Sequence, residues 1–413
     1  MIAEILCIGT ELLLGQIVNS DARYLSCELA ALGIEVYHHT TVGDNPTRLR
    51  EALATALARA DAVITTGGLG PTADDLSKEI VAEHFGLPLE EDAPSLEAMQ
   101  RFFAALGREM TPNNRKQARF PRGAIVLPNE RGTAPGCIVE QGGKCVIQLP
   151  GPPRELERMF ERSVIPYLRG KIAGCIASRY VRMFGIGESE LDARIGDLID
   201  AQDCVTIAPY CSLGEVQLRL TARADTPEAA RAAIAPVEAV LLQRFHHAVY
   251  AVSDTAEDSL AHYAVEALLE AGKTVAVAES CTGGLVTAAL VEMPGVSAAV
   301  MEGHITYSNA AKVRCLGVSE RTLEAHGAVS EQTAREMAAG LRARAGVDIA
   351  VATTGIAGPD GGSPEKPVGL VYVAVATAQG GQVKELRLTG DRNRIRWLAT
   401  LHALNAIRLA AKG

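Results

Sequence analysis

Apolar runs and stretches of helical periodicity alternate through most of the chain. The first run, EILCIG at 4–9, stays apolar after its opening glutamate, as a strand buried on both faces does. Asn19-Ser20-Asp21 then offers a cap to an amphipathic stretch ending at Leu32, and Gly33 stands where a helix C′ residue belongs. IEVYHHTTV (34–42) predicts a second strand, Asp44-Asn45-Pro46 opens a helix over 47–60, and DAVITTGG (61–68) predicts a third strand. A helix is expected over 75–85, stopped by Gly86, and LPGPPRELERMF (149–160) combines a proline-rich turn with another helix. Short strands separated by helices predict an α/β domain over 1–169, with a mainly parallel sheet covered on both faces.

The pattern changes over 170–250. SRYVRMFGI, SELDARIGDLID, VTIAPYCS, EVQLRLTARA and TPEAARAAIAPVEAVLLQRF predict β-α-β-β-α, a small α+β domain of KH-like order. GIGE is not the GxxG clamp that grips a nucleic-acid backbone, which favours a linking role.

Over 251–413 the α/β pattern returns. A helix at 256–272 precedes strand KTVAVA (273–278) and a helix from about Gly284. Strand HITYS (304–308), helix AAKVRCLG (310–317) and helix SEQTAREMAAGLRARAG (330–346) follow. Strands DIAVATTG, GLVYVAVAT and QVKELRLTG and a terminal helix from about Asp391 complete a second α/β domain.

Composition narrows the function. A chain of 413 residues is long enough for two or three domains, and 48% apolar residues supply their cores. Aromatics are only 4%, so Ala, Val, Leu and Ile must do the packing. A net charge of -9 argues against a broad nucleic-acid surface. The nine cysteines form no CxxC pair, which points to reduced thiols in a cytoplasmic protein. Adjacent His38 and His39 in a strand point to opposite faces and make a poor chelate. The N-terminus lacks the basic and apolar segments of a signal peptide, and no uncharged apolar window is long enough to span a membrane.

Three C-terminal stretches carry candidate chemistry. In AESCTGG (278–284), Ser280 and Cys281 sit at the carboxyl end of a strand, the edge where open α/β sheets take ligands. Backbone N–H groups at Thr282, Gly283 and Gly284 open the next helix and could meet a phosphate or an oxyanion. Cys281 is the rival nucleophile, but no histidine pairs with it in sequence. In TYSNAAK (306–312), Ser308 or Asn309 caps a helix; with Asn309 as cap, Lys312 falls at N3, against the helix dipole. That placement favours the neutral amine, and a neutral lysine can take the proton of a serine hydroxyl. Tyr307 stands ready to orient the pair or relay a proton. TTGIAGPDGGSPEKPVG (353–369) is a long glycine- and proline-rich loop that opens on Thr354 at a strand end.

Together with HGAVSEQT (326–333), these stretches resemble the C-terminal domain of the CinA family over nearly all of residues 255–410. The resemblance implies a nicotinamide mononucleotide amidase that releases nicotinate mononucleotide and ammonia in pyridine-nucleotide recycling. It implies Ser280 as nucleophile, Lys312 as general base, Tyr307 assisting, and Thr354 binding substrate or the oxyanion, with no cofactor. The substrate phosphate needs an anion site, in one of the glycine loops or on an arginine.

The N-terminal candidate is TTGGLGPTADD (65–75). Gly67, Gly68 and Gly70 permit close approach to an anion, and Asp74 and Asp75 follow where a helix start would stabilise them. Amides plus carboxylates suit a diphosphate bridged by a divalent cation. Glu11 and Asp44 end or follow neighbouring strands and are further metal candidates. GTELLLGQIVNSDARYL, TGGLGPTADDLS, GTAPG and LPGPPREL resemble the molybdopterin-binding-like domain at the front of full-length CinA proteins. That resemblance implies ADP-ribose pyrophosphatase activity with a divalent metal (Mg, Mn or Co) and potassium, and adds Asn19 to the nucleotide-binding candidates. NSD at 19–21, where the family often has NTN, and Ser77, where threonine is usual, depart from the pattern. The family resemblance also implies a homodimer.

The expectation is therefore a bifunctional nucleotide-processing enzyme that acts on small molecules, not on nucleic acid or membranes. The alternatives are a molybdopterin- or nucleotide-binding module without turnover and a competence-related interaction protein.

Overall fold

The structure, a computed structural model, describes residues 1–172, 174–255 and 258–413. The chain forms two compact units, Met1–Ser178 with Ala222–Ala233 and Arg179–Thr221 with Ile234–Gly413.

The first unit is built on a six-stranded sheet in the spatial order Glu35–Val42, Ile2–Ile8, Ala62–Thr66, Lys144–Leu149, Gly136–Gln141 and Ile125–Leu127. All run parallel except Gly136–Gln141, which pairs antiparallel with both of its neighbours. Alternate residues of each strand serve opposite faces. Ile5, Ile64 and Ile147 pack with Leu25, Leu29 and Phe160, whereas Leu6, Val63 and Val146 pack with Leu53, Leu57 and Val81. The predicted helices form as Ser20–Ala31, capped by Asn19, and Pro46–Arg59, capped by Asn45. The helix expected from Asp75 starts only at Ser77, so Asp74 and Asp75 lie in the preceding loop and not at a helix N-terminus. Helix Ala93–Ala105, capped by Asp92, and the short pair Leu89–Glu91 and Arg119–Pro121 were not expected.

The KH-like segment has the expected β-α-β-β-α order and gains a strand. Its sheet runs Val205–Cys211, Glu215–Ala224, Cys175–Phe184 and Val249–Ser253, with the last strand antiparallel to Cys175–Phe184. Arg182 in that strand is fully buried. It donates to the carbonyls of Asp258 and Thr255 at 2.9 and 2.6 Å and to Ser253 Oγ at 2.7 Å. A buried guanidinium is tolerable because its donors are satisfied.

The C-terminal sheet has five strands in the order Val300–Ile305, Val275–Glu279, Ile349–Gly355, Leu370–Thr377 and Gly380–Arg387. All run parallel except Leu370–Thr377, which pairs antiparallel with both of its neighbours. Val275, Val277 and Val351 face helices Leu260–Ala271 and Arg392–Lys412. Ala276, Ala278, Ala350 and Ala352 face helix Glu331–Ala345 through Met337 and Leu341. An alanine-lined face lets that helix sit close, which is how a core poor in aromatics fills its volume. Of the helix expected over 256–272, Ala256 and Glu257 lie outside the described residues, and Ser259 caps its observed start. The strand predicted at 304–308 lies earlier, at Val300–Ile305, which leaves Thr306, Tyr307 and Ser308 as a connection into helix Asn309–Leu316. Helix Glu320–His326 was not expected. Among the described residues no helix is long and apolar enough to cross a membrane.

Candidate active site

Strand Val275–Glu279 delivers Ser280 to the sheet edge, and the Ser280 N–H donates to the carbonyl of Thr353 on the adjacent strand at 3.0 Å. From the other neighbouring strand the chain turns through Thr306–Ser308 into the helix that carries Lys312. The two side chains meet across the edge, with Lys312 Nζ 3.1 Å from Ser280 Oγ. Nζ also donates to the carbonyls of Thr306 at 2.8 Å and Tyr307 at 3.3 Å. Lys312 is 0% exposed and Ser280 8%.

This environment brings the neutral amine within reach. Burial brings the Lys312 amine down to about 8, because the cation loses its hydration. Among the described residues no carboxylate accompanies it; its hydrogen-bond partners are two carbonyls and a hydroxyl. A neutral amine has two N–H bonds and one lone pair, so the two carbonyls can take the hydrogens while the lone pair faces the Ser280 hydroxyl. The cap is Ser308, whose side chain accepts from the Ala311 N–H, so Lys312 stands at N4 and not at N3. Burial, rather than the helix dipole, is the principal cause of the lowered value.

Cys281 is also buried, and burial pushes its thiol up to about 11. It is held as a thiol and packs in the core cluster beside Val277 and Val286. A cavity of about 180 Å³ opens over Ser280 and Lys312, walled by Cys281, Tyr307, Ala328, Val329, Thr354 and Arg392 among others. The Tyr307 side chain is 65% exposed, and its carbonyl rather than its ring contacts Lys312. Thr354 Oγ1 donates to the Ala328 carbonyl at 2.7 Å. With its proton so placed, Thr354 offers the cavity an acceptor, which suits an amide NH₂ better than an oxyanion.

Some of the N–H groups of the glycine turn after the nucleophile are taken by the protein itself. Gly284 N–H donates to Glu279 Oε2 at 2.8 Å, followed by Val286 N–H to the same oxygen at 3.1 Å. Thr287 N–H and Oγ1 reach Oε1 at 2.9 and 2.8 Å. The anion at this helix start is thus the protein's own fully buried Glu279. Thr282 turns its hydroxyl inward to Thr353 Oγ1 at 2.7 Å. The cation that does reach the cavity is Arg392, anchored on the Gly358 carbonyl at 2.7 Å. Glu279 and Arg392 were missed from sequence. Glu279 had a signal, since a charged residue ends an otherwise apolar strand; Arg392 is one of several arginines near the start of the terminal helix.

The N-terminal candidates are placed differently. Gly67 and Gly68 adopt φ of 88° and 67°, and added Cβ atoms would strike the Ile8 carbonyl and Ser77 Oγ. Gly70 leaves room for the Asp75 carboxylate. These glycines accommodate the chain's own packing. Asp74 and Asp75 both accept from the Thr72 hydroxyl, which holds Asp74 below its ordinary value. Asp44 accepts from Thr10 N–H and Oγ1 at 2.9 and 2.7 Å, and Glu11 lies in the short helix Thr10–Leu13. Asn19 Oδ1 accepts from Ala22 N–H at 3.1 Å as a helix cap. Among the described residues no three His, Cys, Asp or Glu side chains are disposed to hold a metal, so Glu11 and Asp44 do not join Asp74 and Asp75 in one cluster.

Comparison with known proteins places the chain in a family. Residues 257–410 match the family described as CinA C-terminal domain. Residues 4–170 match Probable molybdopterin binding domain, and 178–251 match Damage-inducible protein CinA KH domain. A CinA-like protein of Kosmotoga olearia is 51% identical over 411 residues, covering 99% of each chain. The chain belongs to the CinA family. A CinA-like protein of Dictyoglomus thermophilum is 49% identical over 408 residues, 99% of this chain and 98% of its own. The solved structure of competence/damage inducible protein CihA from Agrobacterium tumefaciens is 45% identical, covering 37% of this chain and 93% of its own at a TM-score of 0.36. The family's C-terminal match contains the Ser280–Lys312 pair and every cavity residue named above.

Proposed function

We propose that the C-terminal domain is a Ser/Lys amidohydrolase that deamidates nicotinamide mononucleotide. The observation that carries this reading is the buried Lys312 amine, 3.1 Å from Ser280 Oγ, with two carbonyls for its hydrogens and, among the described residues, no carboxylate partner. Ser–Lys pairs are a known variant of nucleophile activation. Neutral Lys312 takes the Ser280 proton as Oγ attacks the carboxamide carbon. The resulting ammonium gives that proton to the leaving nitrogen, the C–N bond breaks, and ammonia departs from an acyl ester on Ser280. Water then attacks the ester, with Lys312 as base, and returns Ser280 and a carboxylate. Thr354 would accept from the carboxamide NH₂. The cavity of about 180 Å³ is smaller than the roughly 300–1,000 Å³ of sites that engulf whole ligands, so it suits the carboxamide-bearing ring. The ribose phosphate would then lie outward, with Arg392 as its cation.

The test is ammonia release from nicotinamide mononucleotide as a function of pH. Because Lys312 must be neutral and its value lies at about 8, kcat/KM rises with pH through a limb near 8. A flat profile between pH 6 and 10, or a limb at the ordinary lysine value, refutes the assignment of the base.

For the N-terminal domain we infer metal-dependent hydrolysis of ADP-ribose. The supporting observation is the pair Asp74 and Asp75 on one exposed loop beside Gly70. The two carboxylates suit a divalent cation completed by substrate oxygens and water, which would neutralise diphosphate charge. Asp75→Asn is expected to abolish manganese-stimulated release of AMP from ADP-ribose and leave ammonia release unchanged; equal AMP release by variant and wild type contradicts the reading.

A further inference from the structure

The turn carrying Ser280 is held at both polar ends of its peptides. On one side the Glu279 carboxylate collects the N–H groups of Gly284, Val286 and Thr287. On the other, Arg396 of the terminal helix donates through Nε to the Cys281 carbonyl at 3.1 Å and through Nη2 to the Thr282 carbonyl at 2.9 Å. The guanidinium fork matches two consecutive carbonyls, which a lysine could not grip in the same way. The approach needs Gly283: a Cβ there would lie 3.3 Å from Nη2, and the residue adopts φ of 60°.

The consequence follows from peptide geometry. In a trans peptide the C=O and N–H point in opposite directions. The Cys281 carbonyl shares a peptide with the Thr282 N–H, and the Thr282 carbonyl with the Gly283 N–H. By gripping both oxygens, Arg396 turns both N–H groups away from itself. The Thr282 N–H faces the Cys281 sulfur, and among the described residues no acceptor is found for the Gly283 N–H. Cys281, in the same turn, lines the cavity.

We propose that Arg396 is a positioning residue for catalysis: it fixes the 280–283 turn, sets Ser280 Oγ against Lys312, and leaves the Gly283 N–H to meet the charge developing on the acyl oxygen. The proposal rests on the Ser/Lys hydrolase reading but makes no use of substrate identity. Arg396 touches neither the reacting atoms nor the phosphate.

The experiment compares wild type, Arg396→Ala and Arg396→Lys in the full chain by two readouts. One is the second-order rate of Ser280 labelling by a fluorophosphonate; the other is kcat and KM for nicotinamide mononucleotide. Arg396→Ala is expected to lower labelling and kcat together by about 100-fold, as loss of an oxyanion donor does, with KM within about threefold. Arg396→Lys recovers part of the loss. Ethylguanidinium added to Arg396→Ala restores at least about tenfold, which a merely misfolded variant would not show. Labelling of Arg396→Ala within twofold of wild type overturns the proposal, as does a rise in KM alone. Wild type that labels at Ser280 yet releases no ammonia removes the amide substrate but leaves the proposal standing or falling on labelling. Wild type that does neither sinks both.

Discussion

Ser280→Ala and Lys312→Ala each lower ammonia release from nicotinamide mononucleotide by about 10³-fold or more, whereas Cys281→Ala stays within about threefold of wild type. The asymmetry comes from position. Ser280 Oγ is the group in contact with the buried amine, and the double variant loses little beyond either single one, because a nucleophile and its base act as a unit. The neighbouring thiol packs in the core, and burial pushes it up to about 11, so little thiolate exists at neutral pH. Parallel loss in Cys281→Ala, with its melting unchanged, would transfer the nucleophile's role to the thiol. Lys312→Arg is also expected to be inactive, since a guanidinium stays charged at any working pH.

Glu279→Ala destabilises the C-terminal domain by about 4 kcal/mol, which lowers its melting transition by roughly 10 °C. The side chain is 0% exposed and receives three backbone N–H groups and the Thr287 hydroxyl. Alanine leaves those donors without an acceptor, where the tight interior admits no replacement water. Glu279→Gln recovers less than half of the loss, because its amide NH₂ faces groups that are themselves donors. The check is thermal unfolding followed by a probe of the C-terminal domain, since a multidomain chain need not melt as one unit. Melting of Glu279→Ala within about 2 °C of wild type would mean that the four donors find other partners.

The N-terminal domain shows how far local sequence pattern reaches. Asn19 and Asn45 as caps, and Gly86 as helix stop, are side-chain and backbone chemistry acting within a few residues, and each is found where the sequence puts it. Placing Asp74 and Asp75 at a helix start went wrong because Thr72 organises them into a loop of their own and the helix waits until Ser77. The added strand Val249–Ser253 and the short pairing of Leu89–Glu91 with Arg119–Pro121 depend on distant partners, and no local period announces them.

Family membership, the alternation of strands and helices, and the identity of the Ser280 and Lys312 candidates were written in the sequence, because they rest on residue type and spacing along one chain. Three matters needed the tertiary structure. One is that burial is the main cause that lowers the Lys312 amine to about 8, and it depends on what packs around the side chain. Another is that Glu279 occupies the anion site of the glycine turn, through hydrogen bonds its own strand-to-helix connection makes only when folded. The last is that Arg392 and Arg396 reach the site from a helix more than a hundred residues downstream, a distance across which hydrophobic periodicity carries no information about which side chains will meet.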